Sequence, residues 1–183
     1  YDGEAHALPT AATTNAASGT TTIEYSKDGT TWTTDLSSLT ATAVADSCTI
    51  QVRATNQNYE NTATSSATLT ITARPVTFTA TSETKEYTGS QITINGLTVS
   101  SGENEGLVSG HTHNVEFSAS GTEVGGPYTG TITAKDDVVI KSGETDVTAN
   151  YDITVVNGKL TITKTDEELT VSLTGKSYVY DGE

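Results

Sequence analysis

Ile153-Thr154-Val155, then Asn157-Gly158, then Leu160-Thr161-Ile162: two runs in which every second residue is apolar flank a turn-forming pair. A period of two sends the apolar side chains to one face and the threonines to the other, the pattern of a half-buried β-strand. The same phrase occurs at Ile92-Thr93-Ile94, Asn95-Gly96, Leu97-Thr98-Val99. Asn and Gly tolerate the positive φ of a type I′ turn, so both phrases predict two-residue hairpins. Val76, Phe78 and Ala80 alternate in the same way with Thr77 and Thr79, and Leu69 and Ile71 with Thr70 and Thr72. Asp28-Gly29 separates Ile23-Glu24-Tyr25 from the segment holding Trp32. No stretch carries a helical period, and Asp35-Leu36-Ser37-Ser38-Leu39 predicts a single helical turn capped by Asp35. The predicted class is all-β.

A longer period overlies the short one. Tyr1-Asp2-Gly3-Glu4, Tyr87-Thr88-Gly89 and Tyr180-Asp181-Gly182-Glu183 stand at steps of 86 and 93 residues. The context repeats too: Val76-Thr77-Phe78-Thr79-Ala80 before the second copy matches Leu169-Thr170-Val171-Ser172-Leu173 before the third. Asn58-Tyr59 precedes Leu69-Thr70-Ile71-Thr72, as Asn150-Tyr151 precedes Leu160-Thr161-Ile162-Thr163. Repeats of this length are whole small domains. The expected organisation is a first repeat over 1–74 lacking its leading strand, a second over 75–164, and the start of a third over 165–183. Two tandem immunoglobulin-like β-sandwiches fit the alternation, with β-grasp modules as the alternative if a helix packs across each sheet. One core is expected to gather Ile23, Tyr25, Trp32, Ile50, Val52, Leu69 and Ile71. The other is expected to gather Phe78, Leu97, Val99, Phe117, Ile132, Leu160 and Ile162. The junctions Ala73-Arg74-Pro75 and Lys164–Glu168 predict short linkers and a semi-rigid rod.

Composition narrows the classes of function. Thr makes up about a fifth of the 183 residues, which suits sheets with one wet face. A net charge of −14 disfavours nucleic acid, whose binding rests on Lys and Arg at phosphates, and equally an anionic membrane surface. No apolar run is long enough to span a bilayer, so no membrane insertion of this segment is expected. The single cysteine, Cys48, forms no internal disulfide; its alternating neighbours place it at a core edge rather than in a catalytic role.

The residues Ile23 to Trp32, Ile50 to Tyr59 and Leu69 to Thr72 resemble the MBG/YDG-type tandem repeats of bacterial cell-surface proteins. So do Tyr87-Thr88-Gly89, Gly106 to Gly110, Val115-Glu116-Phe117, Val124-Gly125 with Tyr128, and Asn150-Tyr151. Asp46-Ser47-Cys48 departs from that pattern, as does Thr88 in place of an aspartate. The resemblance implies a Gram-positive, adhesin-like surface protein of the kind found in gut Firmicutes, extracellular and anchored to the cell wall through parts outside this segment. It implies either a spacer without a ligand or a module for host mucin, glycans or immunoglobulin.

Candidate sites are few. His111 and His113 share a strand face, where two imidazoles with Glu116 nearby are the metal candidates. Ser100–Gly110 is Gly-rich and acidic and predicts a mobile loop, so Glu103, Glu105 and His111 are the ligand-binding candidates. Lys85, Asn150 and Glu116 hold the parts for an isopeptide cross-link. No nucleophile–base pattern or phosphate loop is present, so neither catalysis nor a cofactor is expected. The tyrosines, Trp32 and the motif glycines are expected to be structural, and the apolar side of Leu169–Leu173 is expected to seek a strand partner, either on the second repeat or by exchange with another molecule.

Overall fold

The computed structural model describes residues 1–182. The chain is all-β and sandwich-like, and its helical elements are four three-residue 3-10 turns among the described residues. None packs as a helix across a sheet, the feature a β-grasp module would need.

The first segment holds one antiparallel sheet of β1 (Thr21–Ser26), β2 (Cys48–Asn56) and β3 (Ala63–Leu69), with β2 central. Irregular chain covers one face and joins at two isolated bridges, His6 to Ala41 and Tyr25 to Thr33. Between them lie Tyr25, Leu36, Ala41, Ile50, Leu69 and Ile71, all buried. The predicted turn at Leu36–Ser38 forms, and the Asp35 carboxylate accepts from the Ser37 N–H at 3.0 Å. Trp32 does not join this core. It is only half-buried, and the Arg53 guanidinium lies 4.2 Å from its ring centre while also pairing with Glu24. An indole with a cation on one face keeps that face at the surface.

Arg74 and Pro75, expected in a linker, already belong to β4 (Arg74–Ala80), so the connection from β3 is confined to residues 70–73. There follow β5 (Glu83–Glu86), β6 (Ile92–Ile94), β7 (Leu97–Val99), the small ribbon β8 (Ser101–Gly102) with β9 (Glu105–Gly106), and β10 (His111–His113). The chain continues through β11 (Phe117–Gly121), β12 (Gly125–Thr129), β13 (Thr131–Ile132), β14 (Ile140–Ser142), β15 (Thr145–Asp146), β16 (Tyr151–Val156) and β17 (Lys159–Thr163). One layer joins β16-β4-β7 to β12-β17-β5, with β4 and β5 running parallel to β16 and β17. The facing layer joins β10-β14-β15 to β13-β11-β6.

Each layer breaks in the middle, and the break overturns the hairpin expectation. Ile92–Ile94 pairs with β11 while Leu97–Val99 pairs with β4, so Asn95-Gly96 carries the chain from one layer to the other. Asn157-Gly158 is a kink between β16 and β17, which run on within one layer. Neither Gly96 nor Gly158 has positive φ. The physical reason is parity. Ile153 faces the core from β16 and Leu160 from β17, an odd separation that an unbroken strand would place on opposite faces. The two-residue break restores burial, and the parallel partner makes the same step at Thr81-Ser82.

Two clusters fill the second segment, one on each side of this waist. Val76, Phe78, Val115, Val138, Ile140, Tyr151 and Ile153 form one; Ala80, Ile94, Phe117, Ala119, Leu160 and Ile162 form the other. Leu97, Val99 and Ile132, expected inside, are half-buried at their margins. Tyr1 packs against the first-segment core and against the nearer of these two clusters.

A Cβ on Gly158 would lie 2.3 Å from the Thr81 carbonyl oxygen and 2.8 Å from the Phe117 ring. Gly158→Ala is therefore expected to cost about 1–3 kcal/mol by overpacking. Gly175→Ala, with open space around it, should be neutral when both are followed by chemical denaturation. Phe78→Ala should cost about 3–5 kcal/mol. If the two segments unfold separately, that loss will appear only in the transition of residues 74–163; equal loss in two transitions, or a single transition, would show one cooperative unit.

Candidate functional site

Tyr1, Asn150, Tyr151, His111 and Arg74 meet where the two segments touch. The local sequence explains why. Asn150 closes the 3-10 turn Thr148–Asn150, and Tyr151 opens β16, so both side chains are set at the strand's entry. Asn150 is buried; its Oδ1 accepts from the Val44 N–H at 2.8 Å, across to the first segment, and its side chain also hydrogen-bonds Tyr1. The Tyr1 ring lies edge-on to Tyr151, with centroids 5.6 Å apart, and 6.2 Å from His111. Tyr151 buries its ring at the start of β16. Its hydroxyl accepts from the Val108 N–H at 3.1 Å and shares a 2.6 Å hydrogen bond with His111 Nδ1. Burial raises the phenol pKa of both Tyr1 and Tyr151.

The segment expected to be a mobile loop is tied down. Arg74 Nε donates to the Gly106 carbonyl at 2.8 Å, and Nη2 donates to the carbonyls of Glu105 at 2.8 Å and Gly102 at 3.2 Å. The β8–β9 ribbon is thus drawn onto the start of β4, and the backbones of Glu103 and Glu105 serve the clamp while their side chains stay exposed. A guanidinium presents donors in a planar fork, so one side chain can organise several carbonyls. Nothing in the sequence marked Arg74 for this role, because Arg-Pro reads locally as a linker.

The two histidines are held by protein groups. The His113 ring packs tilted against Phe78, with centroids 4.8 Å apart, and its Nδ1 accepts from the Val115 N–H at 3.1 Å. Glu116 lies past the end of β10 with its main-chain N–H on Thr133, and its side chain is exposed. Among the described residues no three His, Cys, Asp or Glu side chains cluster as a metal site. The isopeptide parts are not brought together: Lys85 pairs with Glu83, and Asn150 is engaged by Val44 and Tyr1. Cys48 is a half-buried free thiol paired in register with Leu69.

Beside the junction lies an open cleft of about 650 Å³, bordered by Tyr1, His6, Ile71, Arg74 and Glu103. At its rim His6 Nε2 lies 2.9 Å from the Asp2 carboxylate. Neither a family model, nor a curated protein, nor a solved structure matches the chain.

Burial lowers the pKa of His111 and His113. With a folded-state value below the unfolded one, the unfolded chain binds protons first as pH falls. Stability is then full above the unfolded value of about 6.5 and declines as pH drops through it. The melting temperature is expected to fall from about pH 7.5 to about pH 5, and His113→Gln should flatten part of that slope, since protonation at Nδ1 also breaks the Val115 hydrogen bond. Added zinc should leave the melting temperature unchanged; a rise abolished by His113→Ala would reveal a metal site.

Proposed function

We propose that the chain is a repeat segment of an extracellular bacterial cell-surface protein, in which β-units stack end to end to form an adhesin or its stalk. The observation that carries this reading is the Tyr1–Asn150 junction. A motif residue of the repeat, Tyr1, is half-buried between the two segments and packs against both cores. The same motif tyrosine recurs at Tyr87 and Tyr180, so the joint can be copied along an array. A connection of only residues 70–73 between β3 and β4, with Ile71 buried in the first core, supports a stiff stalk whose product is reach.

A receptor role for host mucin, other glycans or immunoglobulin is the second reading. It is favoured by one feature, the shallow groove lined by Trp32, Gln51, Arg53 and Thr64, where an aromatic ring adjoins hydroxyl groups. The Arg74 clamp weighs against recognition through 101–106, because those backbone groups are already used.

For the stalk reading, the chain should show no saturable binding to mucin, immunoglobulin or a glycan array at micromolar concentration. Saturable binding lost in Trp32→Ala would establish the receptor reading. Asn150→Ala leaves the Val44 N–H unpaired and should cost about 1–3 kcal/mol. Small-angle scattering should then show a broader range of particle lengths, with circular dichroism unchanged. An unaltered length distribution would show that this joint does not set stiffness.

A further inference from the structure

Asn95-Gly96 and Asn157-Gly158 are the two Asn-Gly pairs of the sequence, and the fold leaves them open to different chemistry. In such a pair the glycine nitrogen can attack the asparagine Cγ, because glycine has no side chain to obstruct the approach and lets the backbone turn. The attack comes over the face of the carboxamide, along the trajectory that carbonyl–carbonyl contacts also follow. It therefore needs a carboxamide that can rotate and a peptide group that can turn towards it.

Asn157-Gly158 lacks both freedoms. Gly158 N–H donates to Asn157 Oδ1 at 2.8 Å, and Asn157 Nδ2 donates to the Gly130 carbonyl at 2.7 Å. Donors meet a carbonyl oxygen near its plane, so the Gly158 nitrogen is presented to the edge of the carboxamide rather than to its face. Gly158 is also buried, and its carbonyl accepts from the Gly130 N–H at 3.1 Å. The Thr81 carbonyl and the Phe117 ring close around its Cα.

Asn95-Gly96 is unrestrained on the reacting side. Asn95 is exposed, and among the described residues neither its carboxamide nor the Gly96 N–H makes a hydrogen bond. Thr81 holds only the far side of Gly96, through the carbonyl. The pair lies outside any ladder, in the two-residue crossing between β6 and β7.

We infer that Asn95 is a site of spontaneous covalent modification, a deamidation site in the layer crossing, whereas the fold protects Asn157. Solvent base takes the Gly96 amide proton, the nitrogen bonds to Asn95 Cγ, and the Cγ–Nδ2 bond breaks. Nδ2 takes a proton from water and leaves as ammonia, and a cyclic imide remains. Water then adds to one imide carbonyl. Opening at Cγ leaves aspartate in an ordinary backbone. Opening at the main-chain carbonyl leaves isoaspartate, with the chain rerouted through Cβ and Cγ. Water is the only co-reactant, and either product adds a negative charge to a chain already at −14.

The two products differ in what they do to the fold. Aspartate keeps the length of the crossing. Isoaspartate adds a backbone methylene between Ile94, paired with Ala119 in one layer, and Leu97, paired with Ala80 in the other. Ile94, Ala119 and Ala80 are buried in one cluster, so a longer crossing disturbs packing that both layers share.

The test is to hold the full chain at mildly alkaline pH and physiological temperature and sample it over weeks. Peptides are then mapped by mass spectrometry, with fragmentation that separates aspartate from isoaspartate. Asn95 should convert to both acids, and Asn157 should lag by about tenfold or more, a barrier difference of about 1.4 kcal/mol. In denaturant the two pairs, preceded by Ile94 and Val156, should convert at similar rates. Asn95→Gln should remove the early product. The aged chain, rich in isoaspartate, should melt below the fresh chain, while Asn95→Asp should melt with the fresh chain. An Asn95 that stays intact in the folded chain while converting in denaturant would overturn the site. Equal rates at the two pairs in the folded chain would overturn the protection of Asn157. Unchanged melting of the isoaspartate-rich sample would overturn the effect on packing.

Discussion

The second segment depends on a steric constraint at its waist. The Phe117 ring occupies the space that Gly130 and Gly158 leave empty, and a Cβ on either would fall within 2.1–2.8 Å of it. Hydrogen bonds hold the approach: Gly130 N–H donates to the Gly158 carbonyl at 3.1 Å, and Asn157 Nδ2 donates to the Gly130 carbonyl at 2.7 Å. Thr81 N–H donates to the Gly96 carbonyl at 2.8 Å, so the kinks of β4–β5 and β16–β17 and the crossing of β6–β7 share one small region. Without that region the alternating apolar residues on the two sides of each break could not all face inward. The glycines thus supply thinness there rather than unusual φ.

A second dependence links the segments. An asparagine buried between two β-units is costly unless its hydrogen bonds are met, and Asn150 meets them with partners from the first segment. The joint is therefore specific in orientation as well as adhesive. Tyr1 supplies its apolar part, Asn150 its polar part, and Arg74 braces the adjoining ribbon, so all three parts of the joint lie within or next to the repeat motif.

Much of the architecture was legible in the sequence. Alternation at Val76–Ala80, Leu69–Ile71 and Leu160–Ile162 correctly marked the buried face, because strand periodicity and burial are tied to the same two-residue repeat. The turn at Asp35 was legible for a local reason: its partner, the Ser37 N–H, lies two residues on. Cys48, paired with Leu69 at a core margin, also stands where its neighbours placed it.

What the sequence by itself determined was the β class, the inward face of each strand and the repeated phrasing at Tyr1, Tyr87 and Tyr180. What only the tertiary structure decided was pairing. Asn-Gly between alternating runs encodes a break but not its direction; whether the chain folds back on itself or passes to another sheet depends on distant partners, such as Ala80 for Leu97, 17 residues away, and Glu83 for Leu160, 77 residues away. Trp32 moved to the surface because Arg53, on another strand, offered a cation for its ring. The ribbon at 101–106 was fixed by Arg74 rather than left loose, because a single guanidinium could reach its carbonyls. Local chemistry sets what each segment can bury or bond, and long-range packing chooses which partner it meets.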